Sequence, residues 1–486
     1  MVVRDSSHEH LSCAGRFKAG FLTRTLSAGL GALAAGATVV LVTLLVLASQ
    51  GSTLLVLTIC AVPITSWIVA RRTFNPLLLS PIGVTAWVFI LIGVVGFFSR
   101  DALVDAGGAS IRIRLDEETA IRGLLLISIS ATVVIVVGAL AMNIMLTCRP
   151  ELRIRPSNLK WNTPNPHPLL LVATILPLVY FVTDVGVETL FLRDEYMFGA
   201  QGSFSSAVVN QFATLAIVIL GYLIARGRAV VRVGSVVIFL CYVLLNLSFG
   251  SRRFALVPIL FALGVFLARN TRAARFGLLA GGVATIALLP LPLEFRGGEM
   301  HGIFPYMDDF LAHGWLEANY LAALNNVLVG FPIITLSAYG DRSVTWSDLL
   351  VSLNPIPGQD AGFYEISSRL RLNVNTPMAG IGELGNVGWP AVFIVLGAIA
   401  VLLAWFELVA RDRAVAGNII YVGIVIGMVA LFAVQMTQYN IRLASRLLLY
   451  LAIVEIGRRV IAMIRRTSAR RGSTRSGPGL IETRAI

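Results

Sequence analysis

Apolar runs of membrane-spanning length recur along almost the whole chain, and no other sequence feature limits the possible folds so strongly. A run of about 17 to 25 apolar residues crosses a hydrocarbon core of roughly 30 Å as a helix. Inside lipid a segment must satisfy its own backbone hydrogen bonds, so such runs are read as helices. They are Ala28–Ala48, Thr53–Ala70, Leu77–Phe98, Gly123–Leu146, Pro168–Gly186, Ala207–Ala225, Val233–Phe249, Phe254–Ala268, Phe276–Leu293, Val387–Phe406, Val415–Val434 and Leu447–Ile464. Glu455, Arg458 and Arg459 interrupt the last of them. The pattern predicts an all-α polytopic membrane protein of about 12 transmembrane helices with one large extracytoplasmic loop.

Charge placement orients the spans. The formal net charge is +13. In a soluble protein that excess would suggest nucleic acid, but most of it lies in short loops and at the ends, as a topology signal and a contact for anionic membrane lipids. No nucleic-acid partner is expected. With the N-terminal tail, residues 1–27, in the cytoplasm, every second connection is an inside one and each carries arginine or lysine: Arg71 and Arg72; Arg149, Arg153, Arg155 and Lys160; Arg226, Arg228 and Arg232; Arg269, Arg272 and Arg275; Arg411 and Arg413. The C-terminal tail, residues 465–486, is basic, is expected to be disordered and is also cytoplasmic. Between these ends the expected parts are a bundle over residues 28–293, an extracytoplasmic loop over residues 294–386 and further spans over residues 387–464. The first apolar run is of spanning length and follows a polar segment, so it reads as an anchor rather than a cleaved signal. Cys13, Cys60, Cys148 and Cys241 follow no metal-ligand spacing and form no disulfide framework. No cofactor or metal is expected.

Four polar constellations fall on the outside of this topology. Gly250-Ser251-Arg252-Arg253 joins two spans on the side where positive charge is disfavoured. Guanidinium forks bind phosphate oxygens bidentately, so the Arg252–Arg253 pair suits a pyrophosphate; the alternative is interfacial snorkelling or pairing with an acidic loop residue. Gln435–Arg446 carries Gln438, Tyr439, Asn440, Arg442 and Arg446, the two arginines sharing a face if the segment is helical. The start of the large loop holds Glu294, Arg296, Glu299, His301, Asp308, Asp309 and His313. A carboxylate or imidazole among Glu299, His301, Asp308 and Asp309 is the candidate general base, with Arg296 holding a donor phosphate. Later in the loop come Leu353-Asn354-Pro355-Ile356-Pro357-Gly358, Arg369, Arg371, Glu383 and Gly385-Asn386-Val387-Gly388, where proline, glycine and asparagine turn the backbone. Tyr320–Ala338, moderately apolar but broken by Asn325, Asn326, Gly330 and Pro332, reads as helices lying in the interface or dipping back into the protein. Asp116, Glu117 and Glu118 read as a helix cap, and Arg193-Asp194-Glu195-Tyr196 as a candidate sugar contact.

The layout resembles the Wzy-type oligosaccharide repeat-unit polymerases, within the O-antigen polymerase and ligase group. The residues that carry the resemblance are Gly250–Arg253 followed by an apolar helix, the late outside loop, Asn354–Gly358, and Thr376–Gly380 leading to Gly382-Glu383-Leu384-Gly385-Asn386-Val387-Gly388 before a span. The resemblance implies a C-type, metal-independent glycosyltransferase in the bacterial inner membrane. Its substrates would be polyprenyl-pyrophosphate-linked oligosaccharides as donor and acceptor, and a flippase and a chain-length regulator would be partners. It carries a pyrophosphate-gripping role to Arg252 and Arg253, and by outside position to Arg296, Arg369, Arg371, Arg442 and Arg446. An O-antigen-ligase-like transferase is the nearest rival. A transporter of lipid-linked sugars is another, but it would place polar residues in mid-span. A transferase using monophosphate carriers would need acids in the first outside loop, and Ser49–Ser52 has none.

Overall fold

The computed structural model describes residues 52–74, 80–105, 114–152, 168–194, 204–250, 253–269, 271–313, 319–354, 362–373 and 376–475. The expected span Ala28–Ala48, together with Arg252 and residues 355–361, lies outside them. The described chain is predominantly helical. Its first part comprises α1 (Ser52–Phe74), α2 (Pro81–Asp105), α3 (Glu117–Cys148), α4 (Leu169–Val185), α5 (Val187–Phe191), α6 (Phe204–Arg226), α7 (Ala229–Ser248), α8 (Arg253–Arg269) and α9 (Arg272–Leu288). The short helices α10 (Leu291–Gly297), α11 (Ile303–His313), α12 (Tyr320–Leu328), α13 (Gly330–Tyr339), α14 (Trp346–Leu353) and α15 (Phe363–Ile366) follow. A hairpin of β1 (Arg371–Asn373) and β2 (Thr376–Pro377) precedes α16 (Gly380–Val387), α17 (Trp389–Val415), α18 (Ile419–Gln438) and α19 (Ile441–Arg475).

Among the described residues, six helices are long and apolar enough to cross a membrane: α1, α2, α3, α7, α17 and α18. The apolar helices α4, α6 and α13 are shorter in apolar extent. Helix α19 runs through the charged part of the last predicted span and on to Arg475. Its acid is neutralised within the helix: Glu455, fully buried, accepts from Arg458 at 2.6 Å, from Arg459 at 2.7 Å and from the Tyr421 hydroxyl at 2.8 Å. Arg459 also lies over the Trp405 ring. An ionised group in an apolar bundle is tolerable only when paired in this way.

The bundle has two distinguishable ends. At one, Arg411 pairs with Glu407 at 3.0 Å and donates to the Leu152 carbonyl, while Arg226 and Arg269 donate across to the carbonyls of Ala268 and Ala225. These residues all belong to segments whose sequence reads as inside. At the other end, Arg193 meets Ser248 and His301, Gln438 donates to the Val327 carbonyl, and Tyr339 donates to the Arg122 carbonyl. All of those belong to segments that read as outside.

Tyr320–Ala338 forms two short helices, α12 and α13, that meet at Val329 and Gly330. With ten residues, α13 rises about 15 Å, half a hydrocarbon core. It is nevertheless buried, with Phe331, Ile333, Ile334, Thr335, Ser337 and Ala338 all in the interior. Glycines admit it. A Cβ at Gly96 of α2 would strike Phe331, one at Gly123 of α3 would strike Thr335, and one at Gly382 of α16 would strike Ser337. Small residues allow this kind of close helix contact where lipid supplies no hydrophobic driving force. Asp116 is the N-cap of α3, its carboxylate accepting from the Thr119 amide at 2.8 Å and hydroxyl at 2.7 Å, which holds its pKa below the usual value.

Glu407 and Arg411 test how far the bundle tolerates buried charge. Arg411→Met strands a buried carboxylate and is expected to destabilise the protein by about 3–5 kcal/mol. Thermal unfolding in detergent should show a large drop, and Glu407→Leu/Arg411→Met should recover most of it.

Candidate functional site

Two of the sequence constellations meet at the junction of α7 and α8. Gly250 turns the chain with φ +54°, a left-handed conformation that L side chains rarely adopt. Its α-carbon sits against the Tyr306 ring, so that a Cβ would come within 2.9 Å of the phenol oxygen. Tyr306 in turn stacks on Phe295 at 4.5 Å and hydrogen-bonds His301 Nδ1 at 2.9 Å. The His301 backbone pairs with Arg193 through two 2.8 Å hydrogen bonds. Arg193 closes the circuit by donating from Nη2 to the Ser248 carbonyl at 2.9 Å, and Ser248 donates to the Leu190 carbonyl. The start of the large loop thus packs against Gly250 at the end of α7.

That placement separates the four candidate bases. His301 is buried, and burial followed by the nearby Arg193 charge pushes its pKa below the ordinary value, so its ring is neutral and internally bonded. Glu299 and Asp308 are exposed, and Asp309 is half-buried. Arg296 lies on α10 beside Phe295. Arg193, noted as a sugar contact, has its guanidinium engaged in holding the α5 and α7 ends together.

The other two constellations meet where α18 turns into α19. The Gly380 amide donates to the Tyr439 carbonyl at 2.8 Å, and Gly380 lies so close to Ile441 that a Cβ would approach its α-carbon to 3.1 Å. Asn440 accepts from the Leu443 amide at 3.0 Å and caps the first turn of α19. On that turn Arg442 is buried, donates to the Val351 carbonyl of α14 at 2.9 Å and lies 4.5 Å from the Phe363 ring centre. Arg446, one turn on, is half-buried and near enough to Arg442 for their charges to interact. Asp348 of α14 accepts from Arg369 at 2.7 Å and forms a reciprocal cap with Thr345, yet the Arg369 side chain stays 56% exposed. Arg371 is exposed on β1. Asn386 pins the start of this cap, accepting from the Val344 amide at 2.6 Å and donating to the Arg342 carbonyl at 2.7 Å.

The two junctions adjoin. Arg253, half-buried at the start of α8, lies near enough to the Tyr439 phenol for an electrostatic interaction. These junctions carry Arg253, Arg446 and Arg369 with some exposure and Arg442 buried against the Val351 carbonyl, and Arg371, two residues after Arg369, is exposed on β1. Arg252, next to Arg253 in the sequence, lies outside the described residues.

Sequence reasoning noted Glu383 without assigning it a role. It is fully buried on α16, where its Oε2 accepts from the Ile441 amide at 3.4 Å and its Oε1 has no partner. An acid standing among glycines and apolar residues immediately before a span was the available signal. Tyr439 and Tyr364, beside Arg253 and Arg442 respectively, were legible only as residues of a loop.

Fold and site together define a class: a predominantly helical protein with helices suited to crossing a membrane and an arginine-rich end built from widely separated segments. No family model, curated protein or solved structure matches the chain.

The Gly250 turn is open to direct test. Gly250→Val is expected to lower stability by about 1–2 kcal/mol from the left-handed backbone alone, with the Tyr306 contact adding to it. Gly277→Ala, inside α9 where a Cβ meets nothing within 4 Å, should by contrast leave stability unchanged or raise it by up to about 1 kcal/mol.

Proposed function

We propose that the chain is a membrane-embedded glycosyltransferase that joins polyprenyl-pyrophosphate-linked oligosaccharide repeat units into a cell-surface or exopolysaccharide, at the outer face of the bacterial cytoplasmic membrane. The observation that carries the reading is the convergence of Arg253, Arg446, Arg369 and Arg371 at one end of the bundle. These arginines come from three parts of the sequence that are far apart. Guanidinium forks bind phosphate oxygens bidentately, and a lipid-borne diphosphate is an anion that this set of partly exposed arginines would grip.

The chemistry follows from charge development. A hydroxyl of the incoming unit attacks the anomeric carbon of the growing chain. The bond from that carbon to the carrier pyrophosphate breaks, and the carrier diphosphate leaves with the electron pair. Fixed guanidinium groups stabilise the negative charge that gathers on the leaving group. The hydroxyl proton passes to a carboxylate at the loop start, where Glu299 and Asp308 are exposed. His301 is unsuited to that task because its ring is buried against Tyr306. In this reading the substrates are two lipid-linked oligosaccharides, and the flippase and chain-length regulator remain the partners proposed.

Removing one guanidinium from the site forfeits a charge-assisted hydrogen bond, worth about 1.5–3 kcal/mol, or roughly tenfold to a hundredfold in rate. Arg252→Ala and Arg253→Ala, expressed at normal level in the native host, should therefore collapse the surface glycan toward single repeat units on gel analysis. Wild-type chain lengths in both variants would contradict the proposal.

A further inference from the structure

We propose that Glu383 is a positioning residue: the protonation state of its carboxyl sets how the first turn of α19, with Arg442 and Arg446, is held against α16. The role of those arginines rests on the proposed function; the coupling between Glu383 and α19 does not.

The geometry comes first. Helix α16 is wedged in place, because Gly382 abuts Ser337 of α13, and Gly385 abuts Leu126 of α3. At its other edge Gly380 touches Ile441 and bonds the Tyr439 carbonyl. Glu383 stands between these contacts with no access to solvent. Among the described residues its only bond is the 3.4 Å one from the amide of Ile441, the first residue of α19, and its second oxygen is unpartnered. The other buried acids of the bundle differ sharply. Glu455 has two arginines and a tyrosine, and Glu407 has an arginine.

No neighbouring charge compensates Glu383. Helix α13 brings Tyr339, and α14 brings Asp348, which Thr345 and Arg369 already occupy. Helix α19 brings Arg442 and Arg446, with Tyr439 just before it. Helix α3 brings Glu117, and Glu118 paired with Arg122. The charged residues of α17 lie at its far end, and α18 has none. Among the described residues none of these groups hydrogen-bonds the Glu383 carboxyl. Burial accordingly pushes its pKa up from 4.5 to about 8, opposed only by the Ile441 amide.

The sign of the effect follows. The packed arrangement holds a proton that an opened, hydrated one releases above its ordinary value of 4.5. Packing is therefore most favoured at low pH, weakens as pH rises from that value to about 8, and is constant above it. A neutral Glu383 locks α16 onto the start of α19, and ionisation loosens the turn that aims Arg442 and Arg446.

Hydrogen exchange of the full-length protein in nanodiscs tests this without substrate. Protection of the amides from Tyr439 to Leu443, corrected for intrinsic exchange, is expected to fall with pH between about 5 and 8, by at most roughly tenfold per unit. Glu383→Gln, neutral at every pH, should flatten that dependence while keeping the low-pH protection. A pH-independent protection in the wild type would overturn the proposal even if the variant failed to fold. An unchanged slope in Glu383→Gln would overturn it as well. Neither result depends on whether Arg253→Ala shortens glycan chains.

Discussion

Everything at the arginine end depends on a helix too short to cross a membrane being accepted into the bundle. Lipid offers no partner for a broken backbone, so non-helical chain survives at membrane depth only when buried in protein. Gly96, Gly123 and Gly382 provide that burial for α13, by letting Phe331, Thr335 and Ser337 approach α2, α3 and α16. With α13 in place, α16 has a wall to lean on. With α16 in place, Gly380 and Glu383 fix the turn between α18 and α19. Three small residues thus determine where Arg442 and Arg446 stand.

The bundle treats charge in three ways. At the end whose segments read as inside, buried charges are neutralised locally, as Glu407 with Arg411 and Glu455 with Arg458 and Arg459. At the opposite end Arg253, Arg446 and Arg371 are partly or largely exposed, while Arg369 pairs with Asp348. Arg442 donates to the Val351 carbonyl and lies over the Phe363 ring. Glu383 is the exception to both, an acid buried without a cation. Paired ions add structure, exposed ones suit an anionic ligand, and a lone buried acid responds to pH.

Much of the fold was legible because hydropathy runs have a direct physical meaning in lipid. The runs at Thr53–Ala70, Leu77–Phe98, Gly123–Leu146, Val233–Phe249, Val387–Phe406 and Val415–Val434 each largely overlap a helix long and apolar enough to cross a membrane. Asp116 as a cap was equally readable, since it heads an acidic triplet seven residues before the run at Gly123 and acids favour a helix's first turn. The dip of α13 was foreshadowed by Gly330 and Pro332, but the glycines that receive it lie in other helices and show no pattern along the chain. The site was legible only in pieces. Periodicity marks which residues sit near an outer helix end, and it says nothing about which ends touch. The seating of Gly250 on Tyr306, the burial of His301 and the nearness of Arg253 to Tyr439 all depend on tertiary packing. Glu383 was noted without a role because what sets it apart, full burial with one carboxyl oxygen unbonded among the described residues, comes from tertiary packing.

The claim on which the functional reading stands is that the arginine end faces outward. Side-specific thiol labelling in a chain with Cys13, Cys60, Cys148 and Cys241 replaced measures it directly. Tyr364, largely exposed beside Arg442, and Ala416, exposed at the opposite end, are suitable single-cysteine positions. In intact cells an impermeant maleimide is expected to label Tyr364→Cys, and to label Ala416→Cys only after the membrane is opened. Labelling of Ala416→Cys in intact cells, with Tyr364→Cys protected, would place the arginines in the cytoplasm and contradict the proposed chemistry.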